Sequence, residues 1–181
     1  MTREELEHAI RAACDVAEDH EVWVFGSQAI LGEYPDAPNG LRESAEADVA
    51  PKNFPERVDR VDGALGELSP FHRTHGFYVH GVPIESAALP PGWQKRAVPV
   101  SGRGPEPATG WCLEAHDLAA SKLAVFRPKD RQFVRVLLRE KMISADLLRE
   151  RVSRLPADGD LLERLEEWIQ RTTRDLRGGR V

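Results

Sequence analysis

Glu46 and Asp48 stand two residues apart in the run Arg42-Glu43-Ser44-Ala45-Glu46-Ala47-Asp48-Val49-Ala50-Pro51, which reads as a short strand. Side chains alternate across a strand, so positions two apart share a face. Two carboxylates on one face repel each other unless a cation lies between them. A hard divalent cation such as Mg2+ takes oxygen ligands, commonly one or two carboxylates completed by water and substrate phosphates. Upstream, the apolar run Val22-Trp23-Val24-Phe25 ends at Gly26-Ser27 and passes into Gln28-Ala29-Ile30-Leu31, the pattern of a strand turning into a helix start. Backbone N–H groups at such a turn suit an anion, although Gly-Ser also serves ordinary strand–helix turns. An anion cradle followed by a carboxylate pair points to a site for a metal–triphosphate.

The elements that must hold these residues follow from periodicity. Residues 3–19 place Leu6, Ala9, Ile10 and Ala13 at helical spacing. Residues 21–25 form the first strand, apolar enough to be covered on both faces. Pro35, Pro38, Asn39 and Gly40 make 33–43 a loop. At its end Arg42 is placed to contact a phosphate or a site carboxylate, a solvated loop arginine being the alternative. A helix opens at Pro55 and runs to residue 68, with Val58, Val61, Ala64 and Leu65 on one face. Ser69-Pro70 ends it. His72 and His75 follow in a loop, where zinc would need two further ligands. Residues 77–79 and 82–87 read as two strands joined around His80-Gly81, the second containing Glu85. A carboxylate inside an apolar strand needs a partner, a metal or water. Leu89 to Trp93 is a turn with Trp93 as an apolar anchor. Residues 95–100 are a further strand, 101–110 a Gly/Pro-rich loop, and 111–113 a short apolar strand. From 114 to 141 the pattern is helical, broken at Pro128. Helices over 144–153 and 158–177 take Ser144 and Asp158 as N-caps, and the tail from Arg177 frays.

Gly-Ser, a spacer and two acids two apart on a strand resemble the core of the polymerase-β-like nucleotidyltransferases. Arg42-x-Ser44-x-Glu46-x-Asp48 is similar to the Arg-x-Thr-x-Asp-x-Asp of the AbiEii-type branch, which includes toxins of bacterial toxin–antitoxin systems. The small bacterial proteins called DUF6036 look most similar. Glu46 stands where Asp is usual, adding one methylene of reach. Ala50 stands where a pair anchored on Asp48 would need its second acid, so the pair is anchored on Glu46 and Asp48. In such proteins a third acid on a later strand completes the metal site or activates the attacking hydroxyl, and Glu85 matches that place in order. His116-Asp117-Leu118-Ala119-Ala120-Ser121-Lys122-Leu123 with Arg127-x-Lys129-Asp130 resembles the second AbiEii-type block, whose lysine and Arg/Asp pair face the site across a cleft. The resemblance covers roughly residues 20–50, 76–93 and 110–140. It gives Lys122 the role of a point charge for a triphosphate, Asp130 that of orienting it or a basic neighbour, and Arg127 a part in nucleotide binding. The plain alternative for this block is a salt-bridged solvent face.

Length and composition bound the rest. A chain of 181 residues, 41% hydrophobic, suffices for a real core. No apolar run approaches the roughly 20 residues that span a membrane, and the charged N-terminus is not a signal core, so a cytoplasmic protein is expected. Two cysteines make neither a disulfide framework nor a Cys-rich zinc site. Of 25 basic and 30 acidic residues, positions 103–181 hold 16 and 13, leaving 9 and 17 for the first 102. The acidic front suits a metal site, and the overall acidity argues against tight nonspecific nucleic-acid binding.

The expected fold is therefore α/β, of the polymerase-β-like nucleotidyltransferase kind. A small mixed β-sheet is flanked by helices (core 1–110), a helical C-terminal part follows (111–181), and the site lies in the cleft between them. The resemblance implies Mg2+-dependent transfer of a nucleotide from a nucleoside triphosphate to an acceptor, RNA (tRNA) being the first guess. Glu46, Asp48 and Glu85 would hold the metal, and Gly26 and Ser27 the phosphates. A cognate antitoxin is the implied protein partner. The alternatives are a catalytically degenerate relative that binds nucleotide or a partner protein, and a structural module whose acids are incidental.

Overall fold

The structure is a computed structural model that describes residues 1–101 and 107–179. Residues 102–106 of the loop expected over 101–110, and the end of the tail, lie outside the described residues. By its contacts the chain divides into two compact units, Met1–Ser86 with Arg96–Glu114, and Ala87–Lys95 with Ala115–Val181.

The first unit is a five-stranded mixed sheet with helices. Its strands are β1 (Glu21–Phe25), β2 (Glu46–Pro51), β3 (Tyr78–Gly81), β4 (Val98–Ser101) and β5 (Thr109–Cys112), in the order β3-β2-β1-β5-β4. β1 pairs antiparallel with β2 and parallel with β5; β2 and β3 run parallel, β4 and β5 antiparallel. Alternation sorts the side chains. Val22, Val24, Ala47, Val49, Val79 and Cys112 are fully buried and form one face of the sheet. Helices α1 (Arg3–Ala17) and α3 (Val58–Leu65) belong to the same unit and contact its strands. α1 buries Leu6, Ala9, Ile10, Ala13 and Ala17 completely, as its spacing predicts. It starts in a reciprocal Thr2–Glu5 capping box and stops where Glu18 turns left-handed, two residues before the expected end. The ends of β1 and β2 are tied by side chains. Asn53 donates to Asp19 at 2.8 Å, and Glu21 Oε1 accepts from both Lys52 Nζ and Trp111 Nε1 at 2.7 Å.

Two expectations need correction. Ser69-Pro70 ends no helix but begins one, α4 (Pro70–His75): Ser69 Oγ accepts the His72 N–H at 3.1 Å, and Pro70 sits where its missing N–H costs nothing. Residues 82–87 form no strand; β3 stops at Gly81, and Ile84–Ser86 is a 3-10 turn. Pro83 explains this, since it has no N–H for a ladder.

His8 of α1 packs edge-on among Phe71, His75 and Phe77, with ring centroids 5.5, 4.5 and 5.7 Å away. Burial, then the neighbouring charges of His75 and Arg11, hold its imidazole below the usual range. The neutral form is therefore the one that fits the folded state. Its contribution to stability is complete above the unfolded value of 6.5 and is lost as pH falls from there toward the folded value. Denaturant midpoints at pH 7.5 and 5.5 should fall more in wild type than in His8→Phe; equal falls would remove His8 as the cause.

The second unit is helical: α5 (Ala115–Val125), α6 (Pro128–Arg139), α7 (Ala145–Val152) and α8 (Gly159–Arg177), with α2 (Ile30–Glu33) the remaining helix of the first unit. Pro128 opens α6 at its first turn, so the helical stretch breaks where expected. Ser144 and Asp158 cap α7 and α8 through the N–H groups of Leu147 and Leu161. Leu118, Leu123, Leu137, Leu148, Leu165 and Ile169 fill the interior at 0–1% exposure. Asp117 is fully buried with Arg151 Nε 3.2 Å from its Oδ1, joining α5 to α7. Removing one partner of a buried pair is expensive. Arg151→Ala should cost roughly 3 kcal/mol, lowering Tm by roughly 10 °C for a chain of this size. Calorimetry that finds no change would make the pair incidental.

Candidate metal and phosphate site

The site begins in backbone pairing. Trp23 lies opposite Ala50 and Phe25 opposite Asp48, so β1 fixes β2 in register. β3 then lies parallel to β2 with Tyr78 opposite Glu46 and His80 opposite Asp48. Residues level with each other in a sheet project to the same side. Glu46, Asp48, Tyr78 and His80 therefore share one face, opposite to the buried face of Ala47, Val49 and Val79. The carboxylates share a face as their spacing requires, and β3 adds an imidazole beside them.

His80 Nδ1 lies 2.9 Å from Glu46 Oε1 and 3.3 Å from Asp48 Oδ1. One ligand atom from each of the three residues lies within 4.8 Å of the others. This is the one such group of three or more His, Cys, Asp or Glu side chains among the described residues. Two carboxylates side by side make the local potential negative. Burial, then the charges of Glu46, Glu67 and Asp48, hold the Tyr78 phenol above the usual range. A divalent cation would relieve that repulsion, and the donors fit one, being two carboxylate oxygens and an imidazole nitrogen.

The Gly-Ser turn is built against the same carboxylate. Gly26 has φ +74 and ψ −170, a conformation open to little besides glycine. A Cβ placed on it would stand 1.8 Å from Asp48 Oδ2. The residue is glycine because the turn lies directly on the acid. Beyond it the chain makes a 3-10 turn over Ser27–Ala29 and then only the four residues of α2, not the single helix over 28–31 expected. So short a helix has little dipole, and any anion here would rely on local N–H groups and the Ser27 hydroxyl. Gln28 is fully buried, and its Nε2 donates to Ser44 C=O at 3.0 Å. That bond fastens the turn to the segment leading into Glu46.

The other expected residues are placed as follows. Arg42 points its Nη2 to Asn39 Oδ1 at 2.6 Å, within its own loop. Glu85 is exposed on the 3-10 turn Ile84–Ser86, in no strand and outside the Glu46–Asp48–His80 group. In the helical unit, Asp130 is 2% exposed and accepts from Arg127 Nε at 2.8 Å, with Lys122 Nζ 3.5 Å from its other oxygen. Lys122 also lies over the Phe133 ring, 4.6 Å from its centroid. Lys122, Arg127 and Asp130 thus meet, with Asp130 between the two cations. His80 is the residue that sequence reasoning passed over. Its signal was a polar ring ending an apolar strand, but only the β2–β3 register gives that meaning.

A family model described as "Nucleotidyltransferase of unknown function (DUF6036)" matches residues 4–174. No curated protein and no solved structure matches the chain. No helix among the described residues is long and apolar enough to cross a membrane.

Proposed function

Because the chain belongs to the DUF6036 family of nucleotidyltransferases, we propose that it transfers a nucleotide from a nucleoside triphosphate to an acceptor hydroxyl, with Glu46 and Asp48 holding a divalent cation. The observation that carries this reading is the convergence of Glu46, Asp48 and His80 on one face of the sheet, with the Gly26 turn lying on Asp48.

In this reading an acceptor hydroxyl attacks the α-phosphate in line, and pyrophosphate leaves. A divalent cation, Mg2+ being the ion that oxygen donors imply, would supply charge neutralisation for the attacking and leaving oxygens. Glu46 and Asp48 provide its carboxylate ligands. Gly26 and Ser27 provide N–H groups and a hydroxyl for the β/γ-phosphates, and Gln28 keeps that turn in position. Glu85, exposed on its turn, takes the part of proton acceptor for the incoming hydroxyl. Lys122 is assigned neutralisation of triphosphate charge, with Asp130 orienting its ammonium group and Arg127 beside it; Arg42 is assigned a phosphate contact. RNA, tRNA in particular, is the first acceptor to try, and a toxin role with a cognate antitoxin follows the AbiEii-type resemblance.

A second reading has support of its own. Glu46 replaces the usual Asp, Ala50 carries no acid, and an imidazole fills the third place of the cluster. Those features suit a relative that binds nucleotide without transferring it, in a regulatory or antitoxin role. One experiment separates the two. The protein is incubated with a divalent cation, each α-labelled nucleoside triphosphate and total RNA. Covalent label on RNA that Asp48→Ala abolishes supports the transferase. Nucleotide binding with no label on any acceptor supports the second reading, and binding of neither nucleotide nor metal sinks both.

A further inference from the structure

His80 bears on which metal the site takes. The geometry points to a first-row transition cation, Mn2+ foremost, in preference to Mg2+, with His80 Nδ1 as a nitrogen ligand beside Glu46 Oε1 and Asp48 Oδ1. This rests on the metal-dependent reading above and adds an ion and a ligand to it.

Three observations carry it. First, the three donors stand close enough to share one ion, at separations that also suit an ion pair or hydrogen bond between the imidazole and the acids. Bonds of roughly 2.0–2.2 Å set adjacent donors roughly 3 Å apart, and Nδ1 lies 2.9 and 3.3 Å from the two oxygens. Second, backbone pairing sets the face from which the imidazole projects. His80 is the Cα partner of Asp48 in the parallel β2–β3 ladder, on the acids' own face. Third, the three side chains keep 45%, 34% and 26% of their surface for His80, Glu46 and Asp48. Positions therefore remain for water or phosphate oxygens.

The chemistry of the donors then chooses the ion. Mg2+ demands oxygen and near-ideal octahedral geometry, and gains little from imidazole. Imidazole nitrogen strengthens binding along the series from Mn2+ upward. Two carboxylates with water and phosphate oxygens suit Mn2+ among these, whereas thiolate-loving ions find no sulfur here. The same site with a third carboxylate would be an all-oxygen site, matched to Mg2+. Replacing that donor by imidazole tilts the balance without changing the number of ligands.

The test reads the ligand directly. Mn2+ is titrated into the full chain, alone and with α,β-methylene ATP, and followed by the paramagnetic resonance of the free ion. Spin-echo modulation then reports any coordinated nitrogen-14. Wild type should bind Mn2+ more tightly than Mg2+, measured by competition, and show imidazole nitrogen on the bound ion. His80→Asp should lose the nitrogen signal and reduce the Mn2+/Mg2+ ratio severalfold. His80→Ala should lose the signal and weaken Mn2+; circular dichroism verifies that both variants fold. Bound Mn2+ without nitrogen, or a Mn2+/Mg2+ ratio that His80→Asp leaves unchanged, overturns the inference and leaves the transferase reading standing. Binding of neither ion, with or without the nucleotide analogue, removes the metal-dependent reading itself.

Discussion

Asp48→Ala is expected to eliminate nucleotide transfer while leaving the protein at least as stable as wild type. The first half follows from position: Asp48 is shared by His80, by the Gly26 turn and by the expected cation. Losing one aligned electrostatic group in a reaction centre commonly costs 10²–10³ in rate, so a fall of at least about 10² is the expected result. The second half follows from repulsion. Asp48 and Glu46 are like charges on one face, and removing one relieves the other when no cation is bound. Groups retained for chemistry often cost stability. A structural acid would behave in the opposite sense, since its loss would strip His80 of a partner. Transfer assays and calorimetry on the same preparation decide. Retained activity with a lowered Tm would make Asp48 a structural residue and end its catalytic assignment.

What could be read from the residues alone depended on how far each signal travels along the chain. The helix of Leu6, Ala9, Ile10 and Ala13, and the strand that puts Glu46 and Asp48 on one side, are local periodicities that tertiary packing only had to accept. The break at Pro128 is equally local, because one ring decides it. The strand over 82–87 fails because apolar composition points to it against the veto of Pro83. Ser69-Pro70 was read as a stop when the same pair, a capping hydroxyl and a residue without N–H, is also a start. His80 and the Asp117–Arg151 pair were beyond local reading for a different reason. His80 gains its role from a parallel register with a strand 32 residues earlier, and Asp117 from a helix 34 residues later. Neither pairing leaves a mark within the window that periodicity covers.

The sharpest test of the site's construction is Gly26→Ala. Two separate costs are expected. The backbone at φ +74 and ψ −170 costs a residue with a Cβ about 1–3 kcal/mol, a drop in Tm of roughly 3–10 °C at this chain length. In addition, the new methyl group would lie 1.8 Å from Asp48 Oδ2 and 2.8 Å from its Cγ, so the carboxylate must move. A misplacement of an ångström at a reacting centre can lower rates by about 10², and metal affinity should fall with it. A Cβ at Gly40, in contrast, meets nothing within 4 Å, and Gly40→Ala serves as the control with stability and activity near wild type. The two costs separate in a double-mutant cycle. In an Asp48→Ala background the contacts with Oδ2 and Cγ disappear, leaving the backbone cost and a 3.2 Å contact with the remaining Cβ, so Gly26→Ala should destabilise less there than in wild type. Equal losses in both backgrounds would mean that the turn does not bear on the acid. The link between phosphate cradle and metal ligand, on which the proposed chemistry is built, would then be broken at its narrowest point.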